Sequence, residues 1–89
     1  MPRIEFTSQL AQHVQCPAES VDADTLREAL DIVFECNPRA RSYVLDDQGF
    51  IRRHVAIFIN SQMVHDRENL DVRLTEDSEV YVMQALSGG

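Results

Sequence analysis

TLREALDIVFEC, residues 25–36, carries the strongest local signal in the chain. Thr25 and Glu28 form a T-x-x-E capping box, in which each side chain can satisfy an amide that the first helical turn leaves free. Leu26, Ala29, Leu30, Val33 and Phe34 fall at i, i+3, i+4, i+7 and i+8, so one stripe of the helix is apolar. The helix must stop at Asn37, because Pro38 disfavours helical geometry in the residue before it. A single apolar stripe can cover only one face of a sheet. The segment therefore predicts a two-layer α+β architecture.

Strands are legible on both sides of that helix. HVAIFIN (54–60) alternates Val55, Ile57 and Ile59 against Ala56, Phe58 and Asn60, which directs the first set towards the helix. NSQ (60–62) can turn the chain, and Met63–Val64 reads as a short return strand. ENLDVRL (68–74) is irregular, and TEDSE (75–79) is a polar turn. VYVMQAL (80–86) then puts Val80 and Val82 on one face, with Tyr81 and Met83 on the other. On the N-terminal side, RIEF (3–6) presents Ile4 and Phe6 to the same core, and ESVDA (19–23) is weakly strand-like. Residues 39–53 read as a loop with a helical turn, closing in the turn chemistry of Asp46, Asp47 and Gly49. The expected order is β-β-α-β-(β)-β, a mixed sheet of four to five strands with one main helix on one face. Phe58, Tyr81 and Met83 then cluster on the opposite, open face, where such a group marks a partner surface. The competing expectation is that residues 39–53 cover them.

A chain of 89 residues suits one domain, residues 1–89, and its 44% hydrophobic and 26% charged content is that of a folded globule. No apolar run approaches the roughly 20 residues that span a bilayer, and no signal-peptide core opens the chain. The expectation is a soluble cytoplasmic protein without a membrane partner. Net charge is −7, and all eight basic side chains are arginine, with no lysine. An acidic surface repels phosphate backbones, which argues against a nucleic-acid partner; it suits a protein with a basic surface or serves plain solubility. Cys16 and Cys36 lack CxxC spacing, and His13, His54 and His65 lack metal-ligand spacing; these read as surface or packing residues, with no metal site. Neither a glycine-rich phosphate loop nor a nucleophile elbow is present, so the chain does not read as an enzyme.

VYVMQALSGG (80–89) closes on Gly88 and Gly89, two of only three glycines in the chain. The helix after an N-terminal hairpin, the VAIFIN strand, the acidic turn before EVYV and the final SGG together resemble the MoaD/ThiS family of ubiquitin-like sulfur carriers, which have the β-grasp fold. RSYVLDDQGFIRRHV (41–55) is most similar to CysO-like carriers of cysteine biosynthesis. There are departures. Ser61 stands where many members turn on glycine, Asp77 stands at another glycine position, and Gln84 and Ala85 replace a proline before the tail. Asp77 is expected to tolerate a left-handed conformation there.

The resemblance implies a carrier with no catalytic residues and no bound cofactor. A ubiquitin-activating-type enzyme of the MoeB/ThiF kind would use ATP to adenylate the Gly89 carboxylate. Sulfur would then replace AMP, and the resulting thiocarboxylate would supply a sulfur-accepting synthase of cysteine, molybdopterin or thiazole type. Leu86, Ser87 and Gly88 would form, with Gly89, a flexible tail (86–89) that threads the activating enzyme. Phe58, Tyr81 and Met83 would make the apolar contact. The alternative is a ubiquitin-like modifier joined through Gly89 to lysines of target proteins.

Overall fold

The computed structural model of the protein describes residues 1–7 and 18–84. His13, Cys16, Ala85 and the tail residues Leu86, Ser87, Gly88 and Gly89 lie outside the described residues. Helix α1 spans Leu26–Cys36, and the five residues of its apolar stripe are all buried. The Thr25 hydroxyl accepts the Glu28 amide at 3.2 Å. The second half of the capping box differs from expectation: Glu28 Oε1 accepts from the Thr25 hydroxyl at 3.1 Å, so the two side chains bond each other. At the other end Asn37 donates its amide to Phe34 and its Nδ2 to Val33, closing the carbonyls that Pro38 leaves behind.

Pro38 also begins a second helix, α2 (Pro38–Val44), where the sequence reading allowed a single turn. Proline's fixed φ is pre-set for the first helical position, and Ala40 and Val44, four residues apart, are both buried. With Leu45 and Ile51 they join the same core as α1. Residues 39–53 thus pack on the helix side.

The sheet has the order β2-β1-β5-β3-β4, with strands Arg3–Phe6 (β1), Glu19–Ser20 (β2), Val55–Ile59 (β3), Gln62–Met63 (β4) and Glu79–Gln84 (β5). β1 and β5 run parallel through the middle, with Ile4 opposite Val80 and Phe6 opposite Val82. β3 pairs antiparallel with β5, with Ile57 opposite Val82. Ile4, Phe6, Val55, Ile57, Val80 and Val82 are buried under Leu30, Val33 and Phe34, as the alternation required, and the rings of Phe6 and Phe34 lie 6.3 Å apart. Ile59, assigned to the same face, is only half-buried.

Two turns settle differently from the sequence reading. Asn60 (φ 49) and Ser61 (φ 71) make the two-residue turn of the β3–β4 hairpin, which sets Ile59 against Gln62. The return strand is therefore Gln62–Met63, and Val64 leaves it to enter the core. A turn with two positive φ values favours glycine at its second centre, so Ser61 occupies a position costly for a side chain. Asp77, by contrast, is not left-handed, and its turn is held instead by Ser78, whose buried Oγ accepts the Thr75 amide at 2.8 Å. Ser61→Gly is expected to stabilise the fold by about 0.5–1 kcal/mol, the left-handed cost relieved less the added chain entropy; urea unfolding midpoints check it.

Arginine does structural work that a lysine could not repeat with the same planar fork. Arg27 on α1 donates to the carbonyl of Gly49 (3.1 Å) and to that of Glu68 (2.8 Å). Arg52 Nε reaches Ser42 at 2.8 Å, and Arg67 donates to the carbonyls of both Arg52 and Val55. These bonds tie segments 42–52 and 67–68 to the sheet and helix. Gly49 (φ +83) lets the guanidinium of Arg27 come close, since a Cβ there would stand 3.1 Å from Nη1. Asp66 shapes the neighbouring turn: the amides of Asn69 and Glu68 hold its carboxylate below the ordinary value. Its contribution is present above the ordinary carboxylate range and is lost as pH falls through the lowered value. Arg67→Ala, which takes a donor from the carbonyls of Val55 and Arg52 while the latter keeps the Val55 amide, is expected to cost about 1–3 kcal/mol in unfolding free energy, read by denaturant titration.

Candidate functional site

The position of β5 decides where the tail begins. Gln84, its last residue, is exposed and lies opposite Val55, the first residue of β3. The chain therefore leaves from the middle of the sheet, at the end where β1 finishes and β3 starts. Around that exit the open face is ordered by register. Glu5, Tyr81, Phe58 and Met63 stand in one row across β1, β5, β3 and β4, and Met83 stands beside Ala56 in the next row towards the tail.

Phe58, Tyr81 and Met83 are half-buried, so they are brought together on this face as expected but with less surface free than the alternation alone suggested. Met63, which the sequence reading placed in the return strand without a role, is 44% exposed and completes the row beside Phe58. The signal that finds it is the two-residue turn: once 59 pairs with 62, residue 63 must lie next to 58. Arg3 and Glu5 form an ion pair at 3.7 Å on the same face, 54% and 42% exposed, and at that exposure it adds little to stability.

The two described histidines, His54 and His65, take packing and surface places. His54 meets the ring of Tyr43 edge-on at 5.0 Å, next to the tail exit. His65 is exposed and lines an open cleft of about 330 Å³ with Ile59, Met63, Val72 and Arg73, near the Asn60–Ser61 turn and so at the opposite end of β3 from the tail exit. Among the described residues no three His, Cys, Asp or Glu side chains come together as a metal site. No described helix is long and apolar enough to cross a membrane.

The ThiS family profile matches residues 5–89, the open face and the tail included. The chain belongs to the ThiS family. No curated protein matches it. Solved structures share its fold at low identity. CysO in the Amycolatopsis orientalis BexX/CysO complex superposes with a TM-score of 0.80 at 14% identity, covering 100% of both chains. Small archaeal modifier protein 1 from Methanosarcina acetivorans gives 0.80 at 15% identity, covering 99% of this chain and 95% of its own. Mycobacterium tuberculosis CysO gives 0.79 at 18% identity, covering 97% and 100%. These neighbours establish the ubiquitin-like β-grasp fold for this ThiS-family chain, with its mixed sheet and, among the described residues, two helices. Proteins of this family are small carriers, generally not enzymes themselves.

Proposed function

We propose that this ThiS-family protein is a sulfur carrier whose working group is the Gly89 carboxylate. The observation that carries the reading is the family match from the strand at Glu5 through Gly89. A carboxylate is a poor electrophile, so a partner must activate it. In the first step a carboxylate oxygen of Gly89 attacks the α-phosphorus of ATP bound to a MoeB/ThiF-like adenylating enzyme, and pyrophosphate leaves. In the second, sulfide, or a partner persulfide later cleaved by a thiol, attacks the acyl carbon, and AMP leaves. The thiocarboxylate holds a sulfur that stays nucleophilic near neutral pH, where an amine is mostly protonated. A synthase that accepts this sulfur completes the cycle.

The residues divide accordingly. Gly88 and Gly89 carry no Cβ and can thread a narrow channel, Ser87 is small enough to follow, and Leu86 stands in sequence at the base of the tail. Phe58, Tyr81 and Met83, with Met63 beside them, meet the partner. The complex of CysO with BexX in Amycolatopsis orientalis supports the idea that a chain of this fold docks as a folded unit on another protein. Exchange of label between pyrophosphate and ATP, dependent on this chain and the adenylating enzyme of its own organism, tests the reading; no exchange contradicts it.

A second reading has its own support, because small archaeal modifier protein 1 shares the fold. As a modifier, the activated Gly89 would be captured by a lysine amine of a target protein. This chain, which has no lysine, could not extend lysine-linked chains on itself. Denaturing electrophoresis of native extract separates the two: a ladder of covalent adducts favours the modifier, and a free chain with one oxygen exchanged for sulfur favours the carrier.

A further inference from the structure

Charge is distributed unevenly along this acidic chain. Residues 39–54 hold four arginines and two aspartates, a formal +2, which leaves −9 for the remainder of a chain whose total is −7. The fold sets Arg52 and Arg53 beside α2, which carries Arg39 and Arg41, and the exposed Asp66 and Glu68 flank Arg67 on the adjoining segment. Arg52 is fixed to α2 through its bond to Ser42 at 2.8 Å and through its amide to Val44 at 2.9 Å. His54 lies against Tyr43 of the same helix. Arg53 sits exposed between them, and Arg39 and Arg41 are exposed on α2. Val55 follows at once and stands opposite Gln84, so this basic group flanks the tail exit.

The acidic groups Glu76, Asp77 and Glu79 lie at the other end of β5, where the strand starts. Five residues follow Gln84, and five residues span at most about 17 Å. Any enzyme that holds Gly89 at a nucleotide must therefore bring its own surface against the exit end of this domain. At contact distance the local charge outweighs the distant one, because salt screens charges beyond roughly 8 Å at physiological ionic strength.

We infer that the activating partner presents an acidic protein surface at the mouth of its tail channel, matched by Arg41 and Arg53. The inference rests on the activation reading above. It reverses, for this end of the molecule, the basic partner surface that the net charge suggests. Arg52 is left out of the recognising pair because its Nε is held by the Ser42 carbonyl, which fixes the side chain along α2.

The test is steady-state ATP–pyrophosphate exchange with the adenylating enzyme of the same organism, at low and at high salt. Arg41→Glu with Arg53→Glu should raise KM for the chain about tenfold or more at low salt, leave kcat near wild type, and lose much of that gap at high salt. Glu76→Arg with Asp77→Arg, at the far end, should shift KM much less. Arg41→Gln with Arg53→Gln should fall between wild type and the glutamate pair, and it carries the test if the glutamate pair unfolds. An unchanged or lowered KM in the arginine variants overturns the inference while leaving activation standing, as does a larger rise from the far-end pair. Absence of exchange with the wild-type chain overturns the activation reading, and this inference with it.

Discussion

Deleting Gly89 is expected to abolish adenylation while leaving the unfolding midpoint of the domain where it was. Among the described residues the core is built from Ile4 to Val82, ahead of the tail. Removing one residue draws the reacting carboxyl back by about 3.5 Å along the chain. A displacement of about 1 Å in a bound reactant already costs on the order of a hundredfold in rate, so this shift should take exchange below detection. Gly89→Ala keeps the register but adds a methyl group beside the reacting carbon, and it should lose on the order of a hundredfold or more. Normal pyrophosphate exchange with the deleted chain would falsify the assignment of Gly89.

Phe58→Asp is the second large effect. Phe58 stands at the centre of the open-face row, between Tyr81 and Met63, on the side of the sheet away from α1. A central aromatic anchor of an interface contributes about 2 kcal/mol or more, so affinity for the activating enzyme should fall about thirtyfold or further. Helix packing should survive, because Val55 and Ile57 on the same strand hold the opposite face. Calorimetric titration reads the affinity and a thermal melt reads the fold. Unaltered affinity in a folded variant would mean that the partner uses another face.

Much of the fold was legible because its signals are local. The alternation in VAIFI and the stripe from Leu26 to Phe34 each name their buried face without reference to the rest of the chain, and both faces are buried as read except at Ile59. What escaped depended on contacts far apart in sequence. Helix α2 is short, and its two buried residues, Ala40 and Val44, become informative only once a core exists to receive them. Leu70 takes a left-handed φ of 57, a conformation no pattern predicts for leucine. Full burial of its side chain, worth about 1.5–3 kcal/mol, offsets the roughly 1–2 kcal/mol that this backbone costs. The arginine bonds were equally hidden: Arg27 and Glu68 are separated by 41 residues, and composition showed only that every cation was arginine.

The proposed docking face divides along the same line. Phe58, Tyr81 and Met83 followed from period-two alternation, whereas Met63 required the register of a hairpin whose turn is one residue shorter than NSQ suggested. The basic end beside the tail needed the pairing of Val55 with Gln84, which no local pattern contains. Gly88 and Gly89, on which the proposed chemistry rests, were read from sequence and family resemblance.

Intact-mass spectrometry of the protein purified from its native host tests the central claim most directly. The account predicts a population ending at Gly89 in which one carboxylate oxygen has been replaced by sulfur, and which reverts to the plain acid when the sulfur acceptor is supplied. A native chain that continues past Gly89 with no trimmed form, or one that ends there and never carries sulfur, would contradict it.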